Sequence, residues 1–195
     1  MVEKRLKMDR NNCWLPPLNP YDFEQDYKIY EASLYKKYCK DFIDTNPTFE
    51  SKIVKVRFHP KVDGYEESFI HFTCKNYENV KNREPDFKRC ERLHWIRKVI
   101  ENYLCKEKCS VSDCDGIKIW EEPYKKHIRV HFLFEEERYF VIIERREYYN
   151  LLITAYYLEY DNALEKQLKH YNQFKKAEDA SATETSPETP STTSR

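Results

Sequence analysis

The chain has 195 residues, with 34 basic and 34 acidic side chains and a formal charge of zero. That length bounds it to one domain with at most an appended piece, and no strong global field draws it to a polyanion or a membrane surface. Only two glycines stand among sixteen tyrosines, eleven phenylalanines and three tryptophans, which predicts a core of large rings and excludes the glycine-rich P-loop and Rossmann fingerprints.

Residues 1–18 lack periodicity and contain Pro16-Pro17, so they read as an extended N-terminal arm whose Trp14 and Leu15 pack onto the body. Lys4, Arg5, Lys7 and Arg10 precede no hydrophobic run, which indicates no secretory leader. No apolar run nears the roughly 20 residues that cross a bilayer. Seven cysteines, an odd number, fit free thiols in a reducing compartment, and the chain reads as soluble and cytoplasmic.

A single domain is expected over residues 19–176. Asn19 is placed to cap a helix with Pro20 at its first position, and Phe23, Tyr27, Tyr30, Leu34, Tyr38 and Phe42 recur at spacings of three and four until Asn46-Pro47. Residues 53–58 alternate, with Val54, Val56 and Phe58 on one face. Asp63-Gly64 turns them into a second strand over 68–74, a β-hairpin that would carry His71 on the face of Phe69 and Thr73. Pro85 opens a second helix, with Leu93, Ile96, Ile100 and Tyr103 as its buried stripe and Arg89, Arg92 and Trp95 nearer its edge.

Beyond a polar, cysteine-bearing loop at 106–115, strands at 117–121, 127–134, 138–145 and 149–157 with short connections predict an antiparallel meander. In the second of these, Ile128, Val130, Phe132 and Phe134 face one side, and His127, Arg129 and His131 the other. Asp161 caps a closing helix carrying Leu164, Leu168, Tyr171 and Phe174. Residues 177–195 are rich in Ser, Thr and Pro and have too little apolar surface to fold. They set four carboxylates against Arg195, a local charge of −3 that leaves +3 for the body. The expected fold class is α+β: an antiparallel meander sheet preceded by helices and a β-hairpin, a closing C-terminal helix, and a disordered tail.

The succession Pro47-Thr-Phe, His59-Pro, Phe69-Ile-His71, Arg83-Glu-Pro-Asp86, Arg89-Cys-Glu-Arg92 and Trp95-Ile, then Tyr139-Phe-Val-Ile-Ile-Glu-Arg145 and Leu152-Ile-Thr-Ala-Tyr156, resembles a family carried by phages and integrative elements. The similarity spans roughly residues 20–175, and its C-terminal half is similar to the barnase, EndoU, colicin and RelE-like (BECR) nuclease fold. The resemblance implies a metal-independent, cofactor-free, toxin-like RNase that attacks the phosphodiester with the ribose 2′-hydroxyl, which requires a base, an acid and cations. Its implied partners are RNA and an immunity protein or antitoxin, and no membrane. The matched catalytic set is His71, Arg129 and Thr154, with Tyr156 as a further candidate. Arg83, Arg89, Arg92, His131 and Arg145 form the substrate-binding set.

Each of these residues also has a structural reading. A histidine within aromatic surroundings is otherwise a hydrogen-bonded core residue. Arg83, Arg89 and Arg92 either clamp a phosphate backbone or pair with Asp86 and Glu91, and Arg145 and Arg146 either end their strand or flank a phosphate pocket beside Thr154. Cys105, Cys109 and Cys114, spaced C-x3-C-x4-C with Cys90 and His94 upstream, invite a zinc reading, although structural zinc usually shows tighter C-x2-C knuckles. Three functions stay open: an endoribonuclease, a non-catalytic module of a mobile element that binds nucleic acid or protein, and a structural accessory of a phage or integrative element.

Overall fold

The computed structural model describes residues 13–75, 83–107 and 114–184. Helix α1, Tyr27–Tyr38, buries Tyr30, Leu34 and Tyr38 at helical spacing, and a wider π turn, Cys39–Ile43, carries the stripe on to Phe42. The helix starts later than Asn19. Asp26 is its N-cap, with Oδ1 accepting from the Lys28 amide at 2.9 Å, while Asn19 bonds through its amide to the Glu91 carbonyl and Phe23 stands 77% exposed. A shared apolar period therefore ran past the true cap.

Strands β1, Thr48–Phe49, and β2, Lys52–Lys55, pair antiparallel, and β3, Lys61–Val62, returns through a two-residue turn to β4, Tyr65–Glu66. Asp63 and Gly64 both have positive φ, 51° and 86°, which a type I′ turn requires. The turn is thus where the sequence put it, but the second arm ends at Glu66. Residues expected as a strand form helix α2, Glu67–Thr73. Phe69, Ile70, Phe72 and Thr73 are all buried, a helical pattern that a short apolar run cannot distinguish from a strand. Tertiary contacts decide it: Phe69 meets the rings of Tyr35, Tyr38 and Tyr65, and Thr73 Oγ1 donates to the Phe69 carbonyl one turn back.

Strand β5, Cys74–Lys75, pairs with β6, Glu84–Pro85, ahead of α3, Phe87–Cys90, and α4, Trp95–Glu101. The single helix expected here is broken by tight turns between Glu91 and His94. Trp95 lies fully buried rather than at an edge, its indole donating to the Pro16 carbonyl at 2.9 Å. That bond and the stacking of Trp14 on Phe134 seat residues 13–17 of the expected arm on the body. Asp86 caps α3, with Oδ1 accepting from the amides of Lys88 and Arg89. Asp86→Ala should therefore cost about 1 kcal/mol and lower the melting temperature by roughly 3 °C in a calorimetric scan; an unchanged transition would remove the cap from the fold.

Strands β7, Ile117–Tyr124, β8, His127–Phe134, β9, Tyr139–Arg145, and β10, Asn150–Tyr157, form the predicted antiparallel meander. The sheet as a whole is mixed, because β2 adds in parallel to β10 through Asn150 and Leu151, giving the order β1-β2-β10-β9-β8-β7 among the described residues. The purely antiparallel expectation missed this pair, since a partner from the N-terminal half leaves no local mark on β10. One face of the sheet packs on the main core, where Val130, Phe132, Val141 and Ile143 meet the aromatic residues of α1, α2 and α4. On the other face Trp120, Leu133, Phe140 and Leu158 are covered by Leu164, Leu168, Tyr171 and Phe174 of helix α5, Asp161–Glu184. This helix continues past Ala177, where the tail was expected to begin; residues 185–195 lie outside the described set. Among the described residues, no helix is long and apolar enough to cross a membrane.

Candidate functional site

The parallel pairing of β2 with β10 stops at Leu151, and the β10–β9 register shifts between Leu152 and Thr154, leaving Ile153 as an extra residue. Beyond this bulge α2 and α3 pack beside β10 in place of a strand. The gap between α2, the segment after β2 and the bulged strand is a cleft of about 700 Å³. Among its lining residues are Arg57, Glu67, Ser68, His71, Arg89, Arg129, Thr154 and Tyr156. All four residues of the expected catalytic set thus line one cleft, although they come from α2, β8 and β10.

His71 reaches this cleft from a helix, not from the predicted strand. Burial, with the guanidinium groups of Arg89 and Arg57 adding to it, lowers its imidazole to about 4, so the ring is neutral at physiological pH. One helical turn earlier Glu67 lines the same cleft, and burial raises its carboxyl against the opposing charge of Arg57. Burial likewise raises the Tyr156 phenol, opposed by Arg89, and keeps it protonated. The cleft therefore holds a neutral imidazole and a carboxyl biased toward its protonated form.

Its cations differ in how far they are neutralised. Arg129 pairs through Nε with Glu144 Oε2 at 3.3 Å and lies 3.4 Å over the Tyr124 ring, and Arg146 pairs with the other oxygen of the same buried carboxylate. Arg89 pairs with Asp86 at 3.2 Å and donates to the His71 carbonyl at 2.7 Å, which ties α3 to α2. Arg57 makes no ion pair among the described residues, and its charge acts on Glu67 and His71 in the cleft.

The rest of the expected binding set does not line the cleft. Arg145 projects to the opposite sheet face, bonded to Glu121 at 2.8 Å and Glu50 at 2.8 Å; with a period of two, only Arg146 of the pair can share the face of Thr154. Arg83 pairs with Asp63, and Arg92 is buried against Glu91 and the rings of Trp95 and Tyr157. His131 is 7% exposed, not on a solvated face, because α5 and the Trp120 and Phe140 rings cover it. Sequence reasoning missed Arg57, Glu67 and Ser68, whose segment was assigned to a hairpin, and it missed Glu144, read only as part of an apolar strand.

A second pocket of about 210 Å³ adjoins the cleft and shares Arg129 and Tyr156 with it. At its wall Glu122 Oε1 accepts from Trp120 Nε1 at 3.0 Å and bonds His170 Nδ1 of α5 at 2.6 Å. Burial alone would raise Glu122, but these two hydrogen bonds, together with the electrostatic influence of the His131 and His170 rings, hold the carboxyl below its usual range. Burial also lowers His131 to about 4, so that ring is neutral beside the ionised Glu122.

Two imidazoles held near 4 make stability depend on pH. Between their ordinary value near 6.5 and about 4 the unfolded chain binds protons that the folded chain refuses, so stability is retained above pH 6.5 and declines as pH falls toward 4. The expected loss is on the order of 2 kcal/mol for the two together, discounted for partial exposure of His71. Urea midpoints at pH 7.5 and pH 5 check it, and His71→Gln with His131→Gln should flatten the difference.

Cys109 lies outside the described residues, and among the described residues no group of three or more His, Cys, Asp or Glu side chains could hold a metal ion. Cys90 is buried and donates its thiol to the Thr73 carbonyl, with burial pushing it up to about 12. Comparison with protein-family models, with curated proteins and with solved structures gives no match, so the family resemblance rests on the quoted motifs.

Proposed function

We propose that the chain is a metal-independent endoribonuclease of a mobile genetic element, acting in the cleft between α2 and β10. The observation that carries this reading is the convergence of a neutral imidazole, a carboxyl raised by burial, three hydroxyl side chains and three guanidinium groups on one cleft. The neutral His71 accepts the ribose 2′ proton as O2′ bonds to phosphorus. The P–O5′ bond breaks, and Glu67 delivers a proton to the leaving oxygen. Arg57 and Arg129 stabilise the charge that accumulates on the phosphoryl oxygens, with Thr154 and Tyr156 as hydrogen-bond donors. The products are a 2′,3′-cyclic phosphate and a 5′-hydroxyl, and solvent exchange restores the two proton carriers. A toxin role with a covering immunity protein belongs to the same proposal and rests on the motif resemblance.

A second reading, a cleft that binds RNA without cutting it, is favoured by one observation: Glu144 and Asp86 already neutralise Arg129 and Arg89. Incubating the purified chain with total RNA in a chelator separates the two. Cleavage that yields cyclic phosphate ends and is lost in Thr154→Val supports the enzyme. Retention of RNA without cleavage supports the binding module, and metal-dependent products with 5′-phosphate ends overturn the mechanism.

A further inference from the structure

We infer that Ser68 is a positioning residue that, backed by Tyr38, holds Arg57 at the cleft; the inference deepens the ribonuclease reading and rests on it for the part Arg57 takes in the reaction. The three guanidinium groups of the cleft are not held alike. Arg129 and Arg89 are each fixed by a carboxylate, Glu144 and Asp86, whereas Arg57 makes no ion pair among the described residues and belongs to no strand. The sheet ends just before it: β2 stops at Lys55, paired in parallel with Leu151. Val54 and Val56 are buried, so alternation turns Arg57 outward. Ser68, the second residue of α2, supplies the anchor. Its amide and its hydroxyl both donate to the Arg57 carbonyl, at 3.4 and 2.7 Å.

The available hydrogens fix the direction of this chain of bonds. A serine hydroxyl carries one hydrogen and a carbonyl only accepts, so the Ser68 hydrogen is committed to Arg57. The phenol therefore donates in the 2.7 Å contact between Tyr38 Oη and Ser68 Oγ. Burial raises Tyr38 and keeps its proton in place. Tyr38 is fully buried on α1 against the rings of Phe42 and Phe69, and Ser68 is 3% exposed. The relay thus runs from the packed core to the cleft wall. It also spends the Ser68 hydrogen, so Ser68 lines the cleft without donating to a phosphate. What it positions is a charge. Burial lowers His71 and raises Glu67, and Arg57 pushes both of them downward.

That double action gives the relay a signature. Loss of a nearby cation raises an imidazole and a carboxyl together, whereas water entering a loosened site raises the imidazole and lowers the carboxyl. In NMR titrations of the full chain, Ser68→Ala should therefore move the midpoints of His71 and Glu67 upward by roughly half a pH unit each. Arg57→Ala should do the same, with no further change in the double variant. Tyr38→Phe keeps the buried ring, should move both midpoints the same way by less, and stands in if Ser68→Ala does not fold. With an RNA oligonucleotide as substrate, Ser68→Ala should lose about tenfold in kcat with KM within about twofold, and no more than about twofold in kcat when Arg57 is already Ala. Midpoints that stay in place, a His71 midpoint that rises while Glu67 falls, or the full tenfold loss in the Arg57→Ala background would overturn the relay and leave the ribonuclease reading standing. Joint upward shifts in a chain that cuts no RNA would keep the relay and remove the enzyme.

Discussion

His71→Ala should lower kcat/KM for RNA cleavage by roughly 10²- to 10⁴-fold, the range that one positioned proton carrier contributes, with little change in RNA binding. The imidazole is neutral in the folded chain, lowered to about 4 by burial and by Arg89 and Arg57. The acid limb of the kcat/KM profile should accordingly fall near pH 4, below the ordinary histidine range. The alkaline limb should follow the raised Glu67 carboxyl, so Glu67→Gln removes that limb along with most of the rate. The Arg89 bond runs to the His71 backbone carbonyl and survives the substitution, so a folded His71→Ala chain is expected by circular dichroism. A variant that cuts RNA within threefold of the parent would remove His71 from catalysis.

Trp120→Ala should be the most damaging single change to the fold on the α5 side. The indole is fully buried, stacks on Phe140, meets Tyr171 of α5 edge-on and donates to Glu122. Truncation of a ring in such a site costs about 3–5 kcal/mol, or roughly 10 °C of melting temperature for a domain of this size. It also removes one of the two hydrogen bonds that hold Glu122 toward the second pocket. Loss of α5 docking should appear as new protease cleavage between Tyr160 and Phe174, with the β7–β10 meander still folded. A loss below about 1 kcal/mol would mean that the helix and sheet do not share a core in solution.

Much of this architecture was legible in local patterns. The spacing of Tyr30, Leu34, Tyr38 and Phe42 marked α1, alternation in 127–134 marked β8, and Leu164, Leu168, Tyr171 and Phe174 marked the face of α5 that meets the sheet. These succeed because periods of 3.6 and 2 are properties of a short segment and survive whatever packs against it. The His71 segment failed for the same reason. The run Phe69-Ile-His-Phe-Thr73 fits either period, and the rings of Tyr35, Tyr38 and Tyr65, from elsewhere in the chain, select the helix.

The site divides along the same line. The residue order alone supplied the chemical types: imidazole, guanidinium and hydroxyl groups, on strands whose alternation gives each side chain a face. Charge pairing and enclosure came only with the tertiary structure. Arg129 meets Glu144 across two strands, Arg145 turns to Glu121 and Glu50 on the opposite face, α5 covers His131, and Glu67 joins His71 through a helix rather than a hairpin. Ion pairing and burial depend on separations through space, and residues tens of positions apart in the chain acquire those separations only when the sheet and its flanking helices pack.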